Sequence, residues 1–153
     1  MMRVPGIASL GALLLLSAAP ALADGKVYVQ LPNLASYEGA RAEQFLHQVV
    51  VANVVSSNCA DYAVTDAEWS LLTDSGDILA KQLDIDSTAY DKDFYGPAFD
   101  LLDKPETCAA EGPNVEYVLR ELVEQGGSRE PLANQAAAAI AAGDVAGGKI
   151  KTK

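Results

Sequence analysis

The sequence contains a single histidine, His47, which any catalytic centre of the Ser-His-Asp or Cys-His type would have to use. It lies in a Val-rich stretch with no nucleophile motif nearby, and signatures such as Gly-x-Ser-x-Gly do not occur. A zinc site needs several histidine or cysteine ligands, which this chain cannot supply once its cysteines pair. We therefore expect His47 at the core edge or the surface and predict no catalytic residue.

Acidic residues are frequent enough to raise the question of calcium binding. The segment DIDSTAYDKDFY, which starts at Asp84, has acids or hydroxyls at positions one, three and five of an EF-hand loop. Positions six and twelve are Ala89 and Tyr95, where that loop requires glycine and a bidentate glutamate. We predict no metal site; the weaker alternative is a calcium site formed by Asp84, Asp86, Asp91 and Asp93. No pair of carboxylates stands out for glycoside hydrolysis.

The two cysteines, Cys59 and Cys108, could form a redox centre, a reactive thiol or a disulfide. There is no Cys-x-x-Cys pair, and the charged neighbours are the acids Asp61, Glu106 and Glu111, which disfavour a thiolate. Two cysteines in an oxidising compartment most commonly pair. We predict a structural disulfide that closes a loop of about 50 residues and stabilises the fold by about 4 kcal/mol.

Four aromatic side chains lie within ten positions of one another around a Gly-Pro pair, namely Tyr90, Phe94, Tyr95 and Phe99. Such a cluster commonly belongs to a hydrophobic core, whereas one that is exposed at a helix kink forms a binding surface. These residues are the candidate binding surface, with core packing as the alternative.

The N-terminus has the three regions of a secretory signal peptide: Arg3, an apolar run over residues 7–16, and Ala21-Leu22-Ala23 before the cleavage point. The apolar run is too short for a membrane anchor, so we expect cleavage after Ala23 and export to a bacterial periplasm. Loss of Arg3 changes the net charge from −10 to −11. This charge disfavours nucleic acid and anionic lipid as partners and favours cationic ones, although acidity also simply keeps an exported protein soluble.

The elements that carry these residues have helical patterns. Residues 36–57 predict a heavily buried helix capped by Ser36, with a strand as the alternative because the segment is rich in β-branched residues. Thr65 and Glu68 form a capping-box signal that starts a second helix. Gly76 in that helix either lets another helix approach closely or, as part of TDSGD, breaks the segment.

Two further helices are predicted towards the C-terminus. One spans residues 87–103 and should be kinked or divided at Pro97, because proline cannot donate to the helix ladder. The other is capped by Asn114 and ended by Gly126, which leaves Cys108 in the loop before it.

We predict an all-α, single-domain helical bundle with one disulfide. Its segments are a signal peptide at 1–23, an N-terminal lead-in at 24–35, a helical core at 36–126, an Ala-rich helix at 127–143 and a flexible tail at 144–153.

The stretch Cys59-Ala60-Asp61-Tyr62 with Cys108, 49 positions after Cys59, resembles the small periplasmic acid-stress chaperones of the HdeA type. That resemblance implies an exported helical protein whose disulfide holds a short bundle, and a chaperone activity switched on by acid. The chain is more acidic than this pattern, and it has a long helix before the first cysteine and an Ala-rich helix after the bundle. It is equally similar to a small family of secreted bacterial helical proteins, which is the interpretation we favour.

Our first functional hypothesis is therefore a periplasmic, non-enzymatic binding protein for an unknown protein or small molecule, without a cofactor. An acid-activated periplasmic chaperone is the alternative, and a small hydrolase is the weakest hypothesis because no nucleophile, metal set or phosphate loop is visible.

Overall fold

The computed structural model describes residues 26–144. Its α-helices are α1 (Gly39–Asn58), α2 (Asp66–Gln82), α3 (Ser87–Tyr90), α4 (Gly96–Leu101), α5 (Thr107–Glu124) and α6 (Gln135–Ala142). A 3₁₀ turn, Ala60–Tyr62, follows α1, and a π-helical turn, Asp91–Tyr95, joins α3 to α4. The predicted all-α class with one disulfide is confirmed.

The predicted signal peptide at 1–23 and all but the first residue of the predicted tail at 144–153 lie outside the described residues. Between residues 26 and 144, no helix has the length and apolar character needed to cross a membrane.

The central helix of the bundle is α1, which packs against α2, α5 and the π-helical turn. Its most deeply buried side chains are Ala42, Leu46, Val49, Val50, Ala52, Val54 and Val55. An apolar surface this wide suits a helix enclosed by neighbours, so the helix interpretation is confirmed and the strand alternative is wrong. The expected Ser36 cap is also wrong: α1 begins at Gly39, and Glu38 before it forms no side-chain capping bond.

The capping box of α2 forms as predicted. Thr65 Oγ1 accepts a hydrogen bond from the Glu68 N–H (3.2 Å), and Glu68 Oε2 accepts one from the Thr65 N–H (2.9 Å). The helix continues unbroken through Gly76, where a Cβ atom would lie 2.5 Å from Tyr90 Oη. Gly76 therefore permits the close approach of α3, and the alternative of a break is wrong.

The segment from Ser87 to Leu101 is one helical run that changes type in the middle. Asp86 caps its start by accepting a hydrogen bond from the Ala89 N–H (2.9 Å). The wider π-helical turn then places Pro97 in the first turn of α4, where a missing N–H costs little. The run is therefore not divided at Pro97, and the change of helix type lies just before it.

Helix α5 begins earlier than the sequence predicted. It starts at Thr107, contains Pro113 in its interior and includes Asn114, so the predicted Asn114 cap is wrong. Cys108 consequently lies in the first turn of α5 and not in a loop. The predicted end is confirmed: Gly126 has a φ of +96°, and the N–H groups of Gly126 and Gly127 donate to the carbonyls of Val123 and Leu122.

The lead-in runs beside the chain that follows α5. The Tyr28 carbonyl accepts from the Leu132 N–H (2.8 Å), and the Gln30 carbonyl accepts from the Ser128 N–H (2.9 Å). A single antiparallel bridge joins Val29 to Pro131 in this part of the described chain. The Ala-rich helix is shorter than its composition suggested, because α6 begins only at Gln135.

Candidate functional site

The disulfide joins Cys59, directly after α1, to Cys108 in the first turn of α5. The sulfur atoms are 2.06 Å apart and the Cα atoms 5.6 Å apart, and Cys59 is almost completely buried. No free cysteine is present in residues 26–144, so neither sulfur is available as a thiol nucleophile. The predicted disulfide is confirmed as a link between two helices that already pack together.

The four aromatic residues of the candidate binding surface form a row that runs from the core to the solvent. Tyr90 contacts Phe94 and Tyr95 with ring centroids 6.0 and 5.2 Å apart, and Tyr95 lies 6.4 Å from Phe99. Phe94 is buried and both tyrosines are half-buried, whereas Phe99 is 51% exposed. Only Phe99 therefore offers most of its ring to a partner.

The phenol groups of this row are chemically inert near neutral pH. Burial raises the pKa of Tyr90, and the nearby Tyr95 and Asp77 raise it further. Burial also raises the pKa of Tyr95. The Tyr90 hydroxyl is enclosed and has no hydrogen-bond partner among the described residues. Both phenols stay protonated, so neither serves as a general base.

His47 is exposed on α1, and its ring stacks on Phe94 with centroids 4.3 Å apart. A cleft lies on each side of it. The first, which we name the α1–π cleft, has a volume of about 300 Å³ and is lined by Glu43, His47, Leu83, Ile85, Ala89, Asp93 and Phe94. The second, the α1–α5 groove, has a volume of about 180 Å³ and is lined by His47, Gln48, Val51, Glu111, Asn114, Tyr117 and Val118. Together they form the His47 face.

The His47 face combines apolar floors with acidic rims. Its charged lining residues are Glu43, Asp93 and Glu111, and no lysine or arginine of the described part of the chain lines either cleft. Among the described residues, serine, threonine and cysteine are also missing from both linings, so the one hydroxyl group beside His47 there is the phenol of Tyr117. This chemistry suits a bound ligand better than a reaction.

The aspartates that suggested calcium do not form a metal site in the described chain. Across residues 26–144, no three histidine, cysteine, aspartate or glutamate side chains are grouped so that they could hold a metal ion. Asp86 caps α3, and Asp93 lies at the rim of the α1–π cleft.

Sequence reasoning identified Phe94 but missed the clefts on either side of His47. The one signal in the sequence is the spacing of Glu43, His47 and Val51, which places them on one helix face. Their partners across the clefts come from α3, the π-helical turn and α5, and no local pattern indicates that pairing. No protein-family model, curated protein or solved structure matches the chain.

Proposed function

We propose that this chain is an exported, non-enzymatic binding protein of the periplasm that takes its partner at the His47 face. The observation that carries the proposal is the pair of clefts flanking an exposed histidine whose ring is held in place by Phe94. The signal-peptide pattern and the Cys59–Cys108 disulfide support export, because disulfides persist in oxidising compartments.

Exposed aromatic rings at the edge of the face add to its capacity for binding. Tyr117 lines the α1–α5 groove and is 46% exposed, and its hydroxyl lets it serve both an apolar and a hydrated surrounding. A small hydrolase gains no support from the same residues, since neither described lining contains a serine, threonine or cysteine beside His47.

Site-specific photo-crosslinking in cells tests this proposal. A photoreactive phenylalanine analogue at Tyr117 should capture a discrete partner, and the same analogue at Trp69 should not. Trp69 is a matched control because it is 42% exposed and lines neither cleft. Equal capture from both positions, or from neither, contradicts the assignment of the α1–α5 groove as the binding site of a protein partner.

Acid-activated chaperone activity is a second candidate, and the ion pairs that fasten the chain after α5 favour it. Arg129 donates to Glu68 through Nε (2.6 Å) and to both oxygens of Glu116 (2.7 and 3.0 Å). Burial alone would raise the pKa of Glu68, but the Thr65 amide and Arg129 together lower it. The interactions of ionised Glu68 therefore contribute their full stabilisation at pH values above the ordinary pKa of a carboxyl group. This contribution is lost as the pH falls through the lowered pKa that Glu68 has in the folded protein.

The lead-in is fastened in a similar way. Lys26 Nζ lies 3.4 Å from Asp74 and 3.3 Å from Asp144, and the hydrogen bond from Tyr28 lowers the pKa of Asp144, as does Lys26. Protonation of Asp144 and Glu68 in acid would weaken these ties and loosen both terminal segments, which would expose the apolar surface beneath them. The resemblance to HdeA-type chaperones implies the same outcome.

The chaperone candidate is tested by light scattering of an aggregating client protein at about pH 3. Protection should appear only in acid, and Arg129→Gln should move its onset to higher pH because the clamp on Glu68 is already weakened. Arg120→Gln provides a control with the same change of charge on an arginine outside these ion pairs. No protection at acid pH contradicts this candidate.

A further inference from the structure

The α1–π cleft has the size and lining of a small-molecule site. Its floor and walls carry the apolar side chains of Leu83, Ile85, Ala89 and Phe94. A volume of about 300 Å³ lies at the lower end of the range for ligand pockets and accommodates roughly one aromatic ring with a short chain.

Two carboxylates from different elements line this cleft. Glu43 comes from α1, one turn before His47, and Asp93 comes from the π-helical turn. Both are exposed, and the ion pairs within residues 26–144 involve neither of them. Among residues 26–144, no lysine or arginine lines the cleft, so its two carboxylates have no basic partner within the described lining.

The α1–α5 groove differs in this respect. The guanidinium group of Arg120 lies 5.8 Å from the centre of the Tyr117 ring, and that ring lines the groove. A positive charge of the protein therefore already lies beside the α1–α5 groove. The requirement for an external cation is specific to the α1–π cleft.

We propose that the α1–π cleft binds a small organic cation, with an apolar body of about one ring on its floor and one protonated amine between Glu43 and Asp93. This inference rests on the proposed binding function and names the ligand class for one of its two clefts. A metal ion does not meet the same requirements, because the described chain supplies no group of three metal-binding side chains and the floor is apolar. An anion would meet two unpaired carboxylates on a chain of net charge −10.

The test is a titration of the full chain, expressed with its own leader, with three probes of one shape. The probes are 2-phenylethylamine, its neutral analogue 2-phenylethanol and the anion phenylacetate, followed by calorimetry or ligand-observed NMR. The amine should bind about fivefold to twentyfold more tightly than the alcohol, since two partly exposed charges act on it, and phenylacetate should not bind. Equal affinity for the amine and the alcohol, or tighter binding of phenylacetate, overturns the proposal.

Variants locate the site. Glu43→Gln and Asp93→Asn should each weaken amine binding about twofold to fivefold and leave 2-phenylethanol unchanged. Glu124→Gln removes the same charge from an exposed position outside both clefts and should have no effect. Ala89→Leu should fill the cleft and abolish binding of both ligands without disturbing α3, because leucine is a good helix former. Amine binding that survives Ala89→Leu overturns the proposal.

Different experimental results would refute the proposed function and this inference. Capture of a partner from Tyr117 without any binding of the amine refutes the cation site and leaves the binding function standing. Binding of the amine that depends on both carboxylates supports the inference even when crosslinking from Tyr117 captures nothing. Binding of a lysine-containing peptide in place of the free amine also overturns it, because the cleft would then serve a polypeptide.

Discussion

The close approach of Gly76 to Tyr90 predicts that Gly76→Ala destabilises the wild-type protein but stabilises a protein that already carries Tyr90→Phe. An alanine Cβ at Gly76 would lie 2.5 Å from Tyr90 Oη, which is closer than real Cβ contacts allow. Relieving such overpacking costs about 1–3 kcal/mol, whereas alanine gains about 0.5–1 kcal/mol over glycine inside a helix. Gly76→Ala alone should therefore destabilise the fold by about 1 kcal/mol.

Removing the Tyr90 hydroxyl with Tyr90→Phe should relieve the overpacking that Gly76→Ala causes. Without Oη, the nearest atoms to the new methyl group are Val49 Cγ1 at 3.6 Å and Tyr90 Cζ at 3.8 Å, which are ordinary van der Waals contacts. Tyr90→Phe alone should be neutral or stabilise by about 1 kcal/mol, because the buried hydroxyl has no partner among the described residues. In that background Gly76→Ala should stabilise by about 0.5–1 kcal/mol.

Urea unfolding of the four proteins in this cycle measures the coupling between the two positions. We expect an interaction free energy of about 1–3 kcal/mol. Tyr95→Phe is the matched control: it removes a hydroxyl from a half-buried tyrosine in the same segment that does not contact Gly76, so Gly76→Ala should stay destabilising beside it. Additivity within about 0.5 kcal/mol for Gly76 and Tyr90 would refute the packing argument.

Three further predictions concern stability. Replacing Cys59 and Cys108 together by alanine should lower the unfolding free energy by about 4 kcal/mol and the thermal midpoint by about 12–20 °C. A thermal midpoint of the wild-type protein that does not change on addition of a reductant would contradict this. Glu68→Gln should cost about 1–2 kcal/mol at neutral pH, with the difference from wild type closing below about pH 4.5; a pH-independent difference refutes the assigned role. Gly126→Ala should cost about 1–2 kcal/mol in urea unfolding because φ is +96°, and an unchanged midpoint argues against this backbone role.

Local chemistry made parts of the fold predictable. The Thr65–Glu68 capping box depends on two side chains and the amides between them, so the sequence contains the whole interaction. The end of α5 at Gly126 is equally local, because a left-handed residue after a helix favours glycine. These positions are confirmed because no distant contact competes with the local preference.

The wrong predictions involve prolines and tertiary packing. Asn114 was predicted as a helix cap, yet α5 begins at Thr107, passes through Pro113 and is tied near its start by the Cys108 disulfide. Tyr62 also packs against Gly112 on the turn before this proline, where a side chain would collide with its ring. Pro97 similarly lies inside a continuous run, because a π-helical turn relieves the strain.

The candidate site was less predictable than the fold, since it forms between elements. Phe94 was identified as part of an aromatic cluster, but its contact with His47 joins residues 47 positions apart. Glu43 and Asp93 become neighbours of one cleft only when the π-helical turn packs on α1. The pattern of charge and hydrophobicity along the chain identifies acidic and aromatic residues. It does not indicate which of them come together in the folded protein to line one cleft.

The two candidate functions depend on different parts of the molecule, which makes them separable. The acid-sensitive ion pairs fasten the lead-in and the chain after α5, and none of their residues lines either cleft of the His47 face. The His47 face lies instead on α1, α5, the π-helical turn and the segment from the end of α2 to α3, and the disulfide ties α1 to α5. Moderate acid should therefore release the terminal segments before it disrupts the face. A variant that loses client protection but still binds 2-phenylethylamine would identify the cleft as the primary site and acid release as a separate property.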